Sequence, residues 1–389
     1  MMERIYLDHA ATSWPKPPGV LEALVEYQQV CGAAAGRGNY DSASRANQIV
    51  SNVRRKLALL ISAQRPSEIA LLDNGTAALN VALVGLLKSG DHVVTSAAEH
   101  NSILRPLAAL RKERGVSFTI VPVDSSGTIS PQQIQIAMTT ATKMVAVTHA
   151  SNVTGCVQPI DEISAIAKRH RAWLLVDGAQ TLGYLPIDVR SSGIDMLAAP
   201  GHKGACGMLG TGMLYARQEI AEQIQTPWPG GTGTESEHIE GPYGWPAGVE
   251  SGNMNVPAIA AWDSGLDWLM SKSMHERWSE TRAMSHRLLE ILKASSLGKI
   301  IGHLPSTTSV SLVSLAVSKM ACSDLAALLD SSFRIEVRSG MHCAACIHEY
   351  LETKAIGGTL RFSLGHTSTD HDLDGLEVAC RSLKQSGVA

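Results

Sequence analysis

From about Glu68 to Tyr215, short apolar runs alternate with segments of helical periodicity. Ile69-Ala70-Leu71-Leu72 precedes a helix starting near Gly75, and His92-Val93-Val94-Thr95 precedes another near Ser102. Phe118–Val121, Met144–Val147 and Trp173–Val176 keep the same rhythm. Gly90-Asp91, Ser126-Gly127 and Pro159 punctuate the units. Repeated strand–helix alternation predicts an α/β fold around a mostly parallel sheet. Beyond Pro227 the pattern changes. Trp228–Asn255 is rich in Gly, Pro and Ser and reads as a long loop. Helical patterns follow near Pro257–Met270 and His275–Ala294, and then shorter strands mix with helices. This predicts a second, smaller α+β domain. The expected division is a large domain over 16–248 and a small one over 1–15 and 249–389. No internal repeat or low-complexity tract interrupts the pattern.

The bulk properties narrow the class. With 389 residues the chain can bury two sizeable cores. A formal net charge of -3 and 4% aromatic residues give neither a basic footprint nor a stacking platform for nucleic acid. The seven cysteines are odd in number and scattered, which argues against a disulfide framework and for a reducing, cytoplasmic setting. Cys343-Ala-Ala-Cys346 has no second pair to complete a zinc site, so no metal is expected. The segment from Met1 to Pro17 has no apolar signal-like core, and no apolar run reaches the length of a membrane span.

One residue stands out chemically. Lys203 lies in Gly201-His202-Lys203-Gly204-Ala205-Cys206-Gly207, and no charged neighbour occurs between Asp195 and Arg217. A lysine withdrawn from water has a lowered pKa and becomes a nucleophile; its strongest task is a Schiff base with an aldehyde cofactor. Such chemistry needs a carboxylate for a pyridine nitrogen, donors for a phosphate and a cover for the ring. Asp177 ends the apolar run Leu174-Leu175-Val176, where ligands of open α/β sheets bind. Asn74-Gly75-Thr76 opens a helix directly after a strand, offering free N–H groups and a hydroxyl to a phosphate. His100 follows another strand and could lie over the ring. Taken singly, Asp177 reads as a helix cap, Thr76 as an ordinary first-turn hydroxyl and His100 as a satisfied histidine. Their joint occurrence at strand ends, in this order, carries the argument.

The combination resembles the class V group of fold-type I pyridoxal-phosphate enzymes, most closely the cysteine desulfurases and desulfurase-like proteins. The likeness runs nearly end to end. Its motifs are Tyr6–Thr12, Glu99–Ser102, Ser151–Gly155, Val176–Gln180, Gly201–Gly204, Val337–Ala344 and Gly358–Leu364. It implies pyridoxal 5'-phosphate as cofactor, Lys203 as the Schiff-base lysine and Asp177 as partner of the ring nitrogen. Asn152 and Gln180 would bond the ring-hydroxyl side, Gly75, Thr76 and His202 the phosphate, and His100 would stack on the ring and assist proton transfer. Arg361 would grip the substrate carboxylate, with Arg338 and Ala10 beside it.

The same resemblance makes Cys343 the sulfur-accepting nucleophile, and Arg338 and His342 would favour its thiolate; the alternative is a buried structural thiol. Cys346 is either a resolving thiol or a helix residue one turn on, and Cys206 reads as packing. The implied reaction converts L-cysteine to L-alanine and passes sulfur to an acceptor protein or thiol. A C–S or selenocysteine lyase, or an aminotransferase on another amino acid, is the rival, and a scaffold without cofactor is a more distant one. The resemblance also implies a homodimer, with 232–255 crossing to the partner. Three departures stand out. Pro200 replaces a hydroxyl residue, Gly252-Asn253 stands where relatives have Gly-Thr, and Ala77 replaces a frequent glutamate. Asn253 keeps a donor for the neighbouring phosphate.

Overall fold

Apolar runs at the predicted positions form one seven-stranded sheet in a computed structural model of the chain, which describes residues 4–233, 239, 244–302 and 309–387. The strands in chain order are β1 (Ile5–Tyr6), β2 (Ile69–Leu72), β3 (His92–Ser96), β4 (Ser117–Val121), β5 (Thr142–Thr148), β6 (Trp173–Asp177), β7 (Met196–Pro200) and β8 (Gly212–Ala216). These are followed by β9 (Lys299–Ile301), β10 (Leu312–Ala316), β11 (Ile335–Glu336), β12 (Arg338–Gly340) and β13 (Thr359–Ser363). The large sheet has the order β2-β8-β7-β6-β5-β3-β4. Only β8 runs antiparallel to its neighbours. Strands β3, β5, β6 and β7 are buried along almost their whole length because helices cover both faces, and this is why they read as continuous apolar runs rather than alternating ones. The edge strand β4 is largely exposed.

The helices are α1 (Val20–Glu26), α2 (Asp41–Leu60), α3 (Gly75–Leu86), α4 (Asn101–Arg114), α5 (Pro131–Ala137), α6 (Ile160–Arg169), α7 (Gln218–Ala221), α8 (Val256–Met270), α9 (Met274–Ser295), α10 (Cys322–Phe333), α11 (Ile347–Tyr350) and α12 (Asp370–Gln385). Helix α2 buries Ala43, Ala46, Val50, Val53 and Leu57, the three- and four-residue spacing of one helix face. Helix α3 is apolar nearly all round and lies inside the second core layer. A smaller antiparallel sheet, β12-β13-β10-β9, packs with α9, α10 and α12 around a separate core. The division at residue 248 remains our proposal. Helix α8 lies beyond it in sequence, yet it buries Trp262 and Leu266 in the core of the large sheet. The expected loop 228–255 falls partly outside the described residues. Among the described residues, no helix is long and apolar enough to cross a membrane.

Five chain segments leave the sheet at one edge: those after β2, β3, β5, β6 and β7. They carry Gly75 and Thr76, His100, Asn152, Asp177 and Lys203 in turn. This strand-end edge is where an α/β sheet builds its ligand site.

Candidate active site

A cavity of about 220 Å³ opens at that edge. Gly75, Thr76, His100, Asn152, Asp177, Gln180, His202, Lys203, Arg338, Arg361 and Ala10 all line it. The structure therefore gathers at one place every expected site residue except Cys343 and Asn253. Asn253 is exposed and is not among the residues lining the cavity. Cys343 is also exposed, but its Sγ accepts a hydrogen bond from Arg338 Nη2 at 3.3 Å. Since Arg338 lines the cavity, the thiol stands at its rim.

Local packing explains the Gly-rich frame of Lys203. A Cβ on Gly204 would come within 2.5 Å of the Leu182 carbonyl oxygen and 2.6 Å of the Tyr184 ring. The turn carrying the lysine can lie so close to its neighbours only without side chains. Lys203 Nζ has no hydrogen-bond partner among the described residues. Withdrawal from solvent, with help from the Arg361 charge, lowers its pKa to about 8, while Asp177 pulls the other way. Burial pushes the Asp177 carboxyl up, against the Ala179 N–H that its Oδ1 accepts at 2.9 Å and against the Lys203 charge.

The start of α3 is arranged for an anion. Asn74 caps the helix, its side chain accepting from Ala77 N at 2.8 Å, and Ala78 N is taken by the Asn74 carbonyl. The amides of Gly75 and Thr76 are left without a partner among the described residues, which makes the helix start a ready anion site. A Cβ on Gly75 would lie 2.9 Å from Pro200 Cδ, so the helix start is seated directly on β7. Ser102 was missed as a site residue. It lines the cavity, and its Oγ lies 2.8 Å from both Thr76 Oγ1 and His100 Nδ1. It is the second residue of α4 and closes the motif Glu99–Ser102, where it was given no role.

His100 caps α4. Its Nδ1 accepts from Ser102 N at 3.1 Å, which assigns the ring proton to Nε2. Burial and the surrounding Lys203, Arg338, Arg105 and Arg361 charges lower its pKa to about 4, so the ring is neutral near pH 7. Arg361 is fully buried. Its Nη1 donates to the Asn152 carbonyl at 3.0 Å and its Nη2 to Asp8 Oδ1 at 2.6 Å. Its buried Nε has no partner among the described residues, and a carboxylate is the acceptor a guanidinium fork suits. Asp8, quoted in a motif but given no role there, emerges as the counter-ion of this arginine.

Two expectations change in detail. Gln180 donates to the Ala10 carbonyl at 3.1 Å and Asn152 to the His342 carbonyl at 2.6 Å, so each amide group has a protein partner on its nitrogen. His342 does not add positive charge beside Cys343. It is buried, its Nε2 bonds to Thr359, and burial with the nearby Arg361 and Arg338 charges lowers its pKa to about 2. Among the described residues, Arg338 supplies the cation hydrogen-bonded to the sulfur. Cys346 sits at the start of α11, packed against the large core, and burial raises its pKa. Cys206 is buried within the lysine turn.

The family model for class-V aminotransferases matches residues 5–376. A probable cysteine desulfurase of Methanothermobacter thermautotrophicus is 33% identical over 377 residues, covering 96% of this chain and 93% of the relative. A probable cysteine desulfurase of Synechocystis sp. is 32% identical and covers 95% and 88%. Among solved structures, the apo cysteine desulfurase of Thermococcus onnurineus NA1 superposes with a TM-score of 0.88 at 29% identity, covering 98% of this chain and 95% of that one. The Escherichia coli cysteine desulfurase CsdA gives 0.86 at 25% identity, with coverage of 98% and 95%. The chain belongs to the class-V aminotransferase family.

Proposed function

We propose that the protein is a pyridoxal-phosphate-dependent cysteine desulfurase, converting L-cysteine to L-alanine while Cys343 takes the sulfur. The observation that carries this reading is the convergence of Lys203, Asp177, His100, the free α3 amides and Arg361 on one cavity, with a cysteine at its rim. The fit to the cofactor rests on the two unpartnered amides of Gly75 and Thr76 for a phosphate and on the amine of Lys203 for an aldehyde. When bound, the cofactor supplies an aldehyde that links covalently to amines and a ring that draws electrons from the Cα of an attached amino acid.

This chain's residues do the rest. Asp177 would partner the ring nitrogen, where a cation would oppose the upward push of burial on its carboxyl, as the Lys203 charge does. Gln180 and Asn152 would border the ring-hydroxyl side, and Gly75, Thr76 and His202 would hold the phosphate. Arg361, steadied by Asp8, binds the substrate carboxylate through donors that the protein leaves unengaged. Ala10 and Arg338 line the remaining wall. Lys203, with a pKa near 8, exists partly as the free amine at neutral pH and can take the Cα proton. His100, which lines the same cavity, presents an Nε2–H. The Cys343 sulfur attacks the substrate sulfur, the substrate C–S bond breaks, and a proton completes the alanine methyl group. Cys343 is left as a persulfide that a thiol or acceptor protein collects. In the homodimer that we propose, the exposed Asn253 would serve the phosphate of a second subunit.

Incubation with L-cysteine tests the reading. Alanine in equal amount to transferred sulfur is expected; pyruvate with ammonia would make the protein a lyase, and a keto acid of unchanged carbon skeleton an aminotransferase.

A further inference from the structure

The carbonyl joining His202 to Lys203 is crowded by donors from the N-terminal segment. Ser13 N donates to it at 3.0 Å and Lys16 Nζ at 2.8 Å. Ser13 Oγ and Thr12 Oγ1 both lie 3.1 Å from the same oxygen. A carbonyl has two lone pairs, so four donors cannot all be accommodated. The surrounding contacts settle the assignment. Ser13 Oγ accepts from Lys16 Nζ at 2.8 Å and has the Lys203 carbonyl as a second acceptor at 3.1 Å. The ammonium and the Ser13 amide therefore fill the His202 carbonyl, and the Ser13 hydroxyl turns to Lys203.

The Thr12 hydroxyl is left with one other partner, His202 Nδ1, at 3.1 Å. If Thr12 donates there, the single proton of the neutral ring resides on Nε2. His202 lines the cavity, and its Nε2 has no partner among the described residues. The segment itself is held in place: Tyr6 Oη donates to the Thr12 carbonyl at 3.0 Å. The opposite arrangement, with Thr12 donating to the carbonyl, would put the ring proton on Nδ1 and turn a bare nitrogen lone pair toward an anion.

We propose that Thr12 and Lys16 are positioning residues that fix the tautomer of His202, so that an Nε2–H donor faces the cofactor phosphate. The inference rests on the pyridoxal-phosphate reading above. It also addresses Pro200, which brings neither hydroxyl nor N–H to the phosphate side and leaves more of that duty to His202.

Two measurements test it. The first needs no cofactor. Nitrogen-15 spectra of histidine-labelled apoprotein should show His202 protonated at Nε2 in the parent and losing that preference in Thr12→Val. A parent ring protonated at Nδ1 overturns the proposal whatever the cofactor proves to be. The second compares cofactor affinities by absorbance titration of apoprotein. Thr12→Val should bind pyridoxal phosphate roughly tenfold more weakly, the size of one lost hydrogen bond. It should bind phosphate-free pyridoxal as the parent does, and Thr12→Ser should restore the phosphate affinity. Equal loss for both ligands, or no loss, overturns the proposal. A parent that binds neither ligand counts instead against the cofactor assignment, with the nitrogen-15 result still deciding the tautomer.

Discussion

Asn152 ties the Cys343 segment to the cavity wall: its Nδ2 donates to the His342 carbonyl at 2.6 Å, and its own carbonyl accepts from Arg361 at 3.0 Å. Asn101 N grips the next carbonyl, that of Cys343, at 2.8 Å. His342 and Cys343 both hold left-handed backbone, with φ of 49° and 59°. For residues with a Cβ that conformation costs about 1–2 kcal/mol each, and the two bonds keep the rim cysteine in it.

Asn152→Ala removes one of those bonds and leaves the His342 carbonyl short of a donor, a loss of about 1–3 kcal/mol. Alanine formation from cysteine should fall at least tenfold, and iodoacetamide should alkylate Cys343 at an altered rate. Parent values in both assays would show that the segment is held without Asn152.

Replacing Cys343 by Ala should abolish alanine formation and persulfide labelling while the visible absorbance of bound cofactor persists. Alanine released at the parent rate would remove Cys343 from the reaction.

Asp8 and Arg361 make an unequal pair, because the arginine is wholly buried and the aspartate is not. Asp8→Ala strands a buried guanidinium and should lower unfolding free energy by about 3–5 kcal/mol, the cost of breaking such a pair. Denaturant unfolding measures it. Arg361→Lys keeps the charge but loses the planar fork, and should raise the KM for cysteine roughly tenfold. An unchanged KM would place the substrate carboxylate elsewhere.

Lys203 gives a signed pH dependence. Its folded pKa of about 8 lies below the ordinary lysine value of 10.5. The unfolded chain therefore holds the extra proton between those limits, and the contribution of this group to stability rises as pH climbs from about 8 towards 10.5. In cofactor-free protein, amine-directed labelling of Lys203 should rise with a midpoint near pH 8. A midpoint near 10.5 would mean the amine is solvated.

The sequence exposed the strand ends clearly, because strands buried on both faces are unbroken apolar runs terminated by polar residues. Asp177 after Val176 and Thr76 after Leu72 follow that rule. Contacts between distant segments left no such trace. Lys16 meets a carbonyl 186 positions away, and Asp8 an arginine 353 positions away. His342 misled for a related reason: adjacency to Cys343 suggested a cation, whereas its ring is buried against Thr359 and neutral. Helix α8 reads as part of the C-terminal region, yet Trp262 is buried in the large core and bonds to the Ala205 carbonyl at 3.0 Å.

The central claim is a covalent link between Lys203 and pyridoxal phosphate. Lys16 provides a demanding internal control, since burial lowers its pKa to about 8 as well. Borohydride reduction of cofactor-loaded protein, followed by peptide mass mapping, should find the reduced pyridoxyl group on Lys203 and not on Lys16. A label on Lys16, on another lysine, or on none would contradict the account.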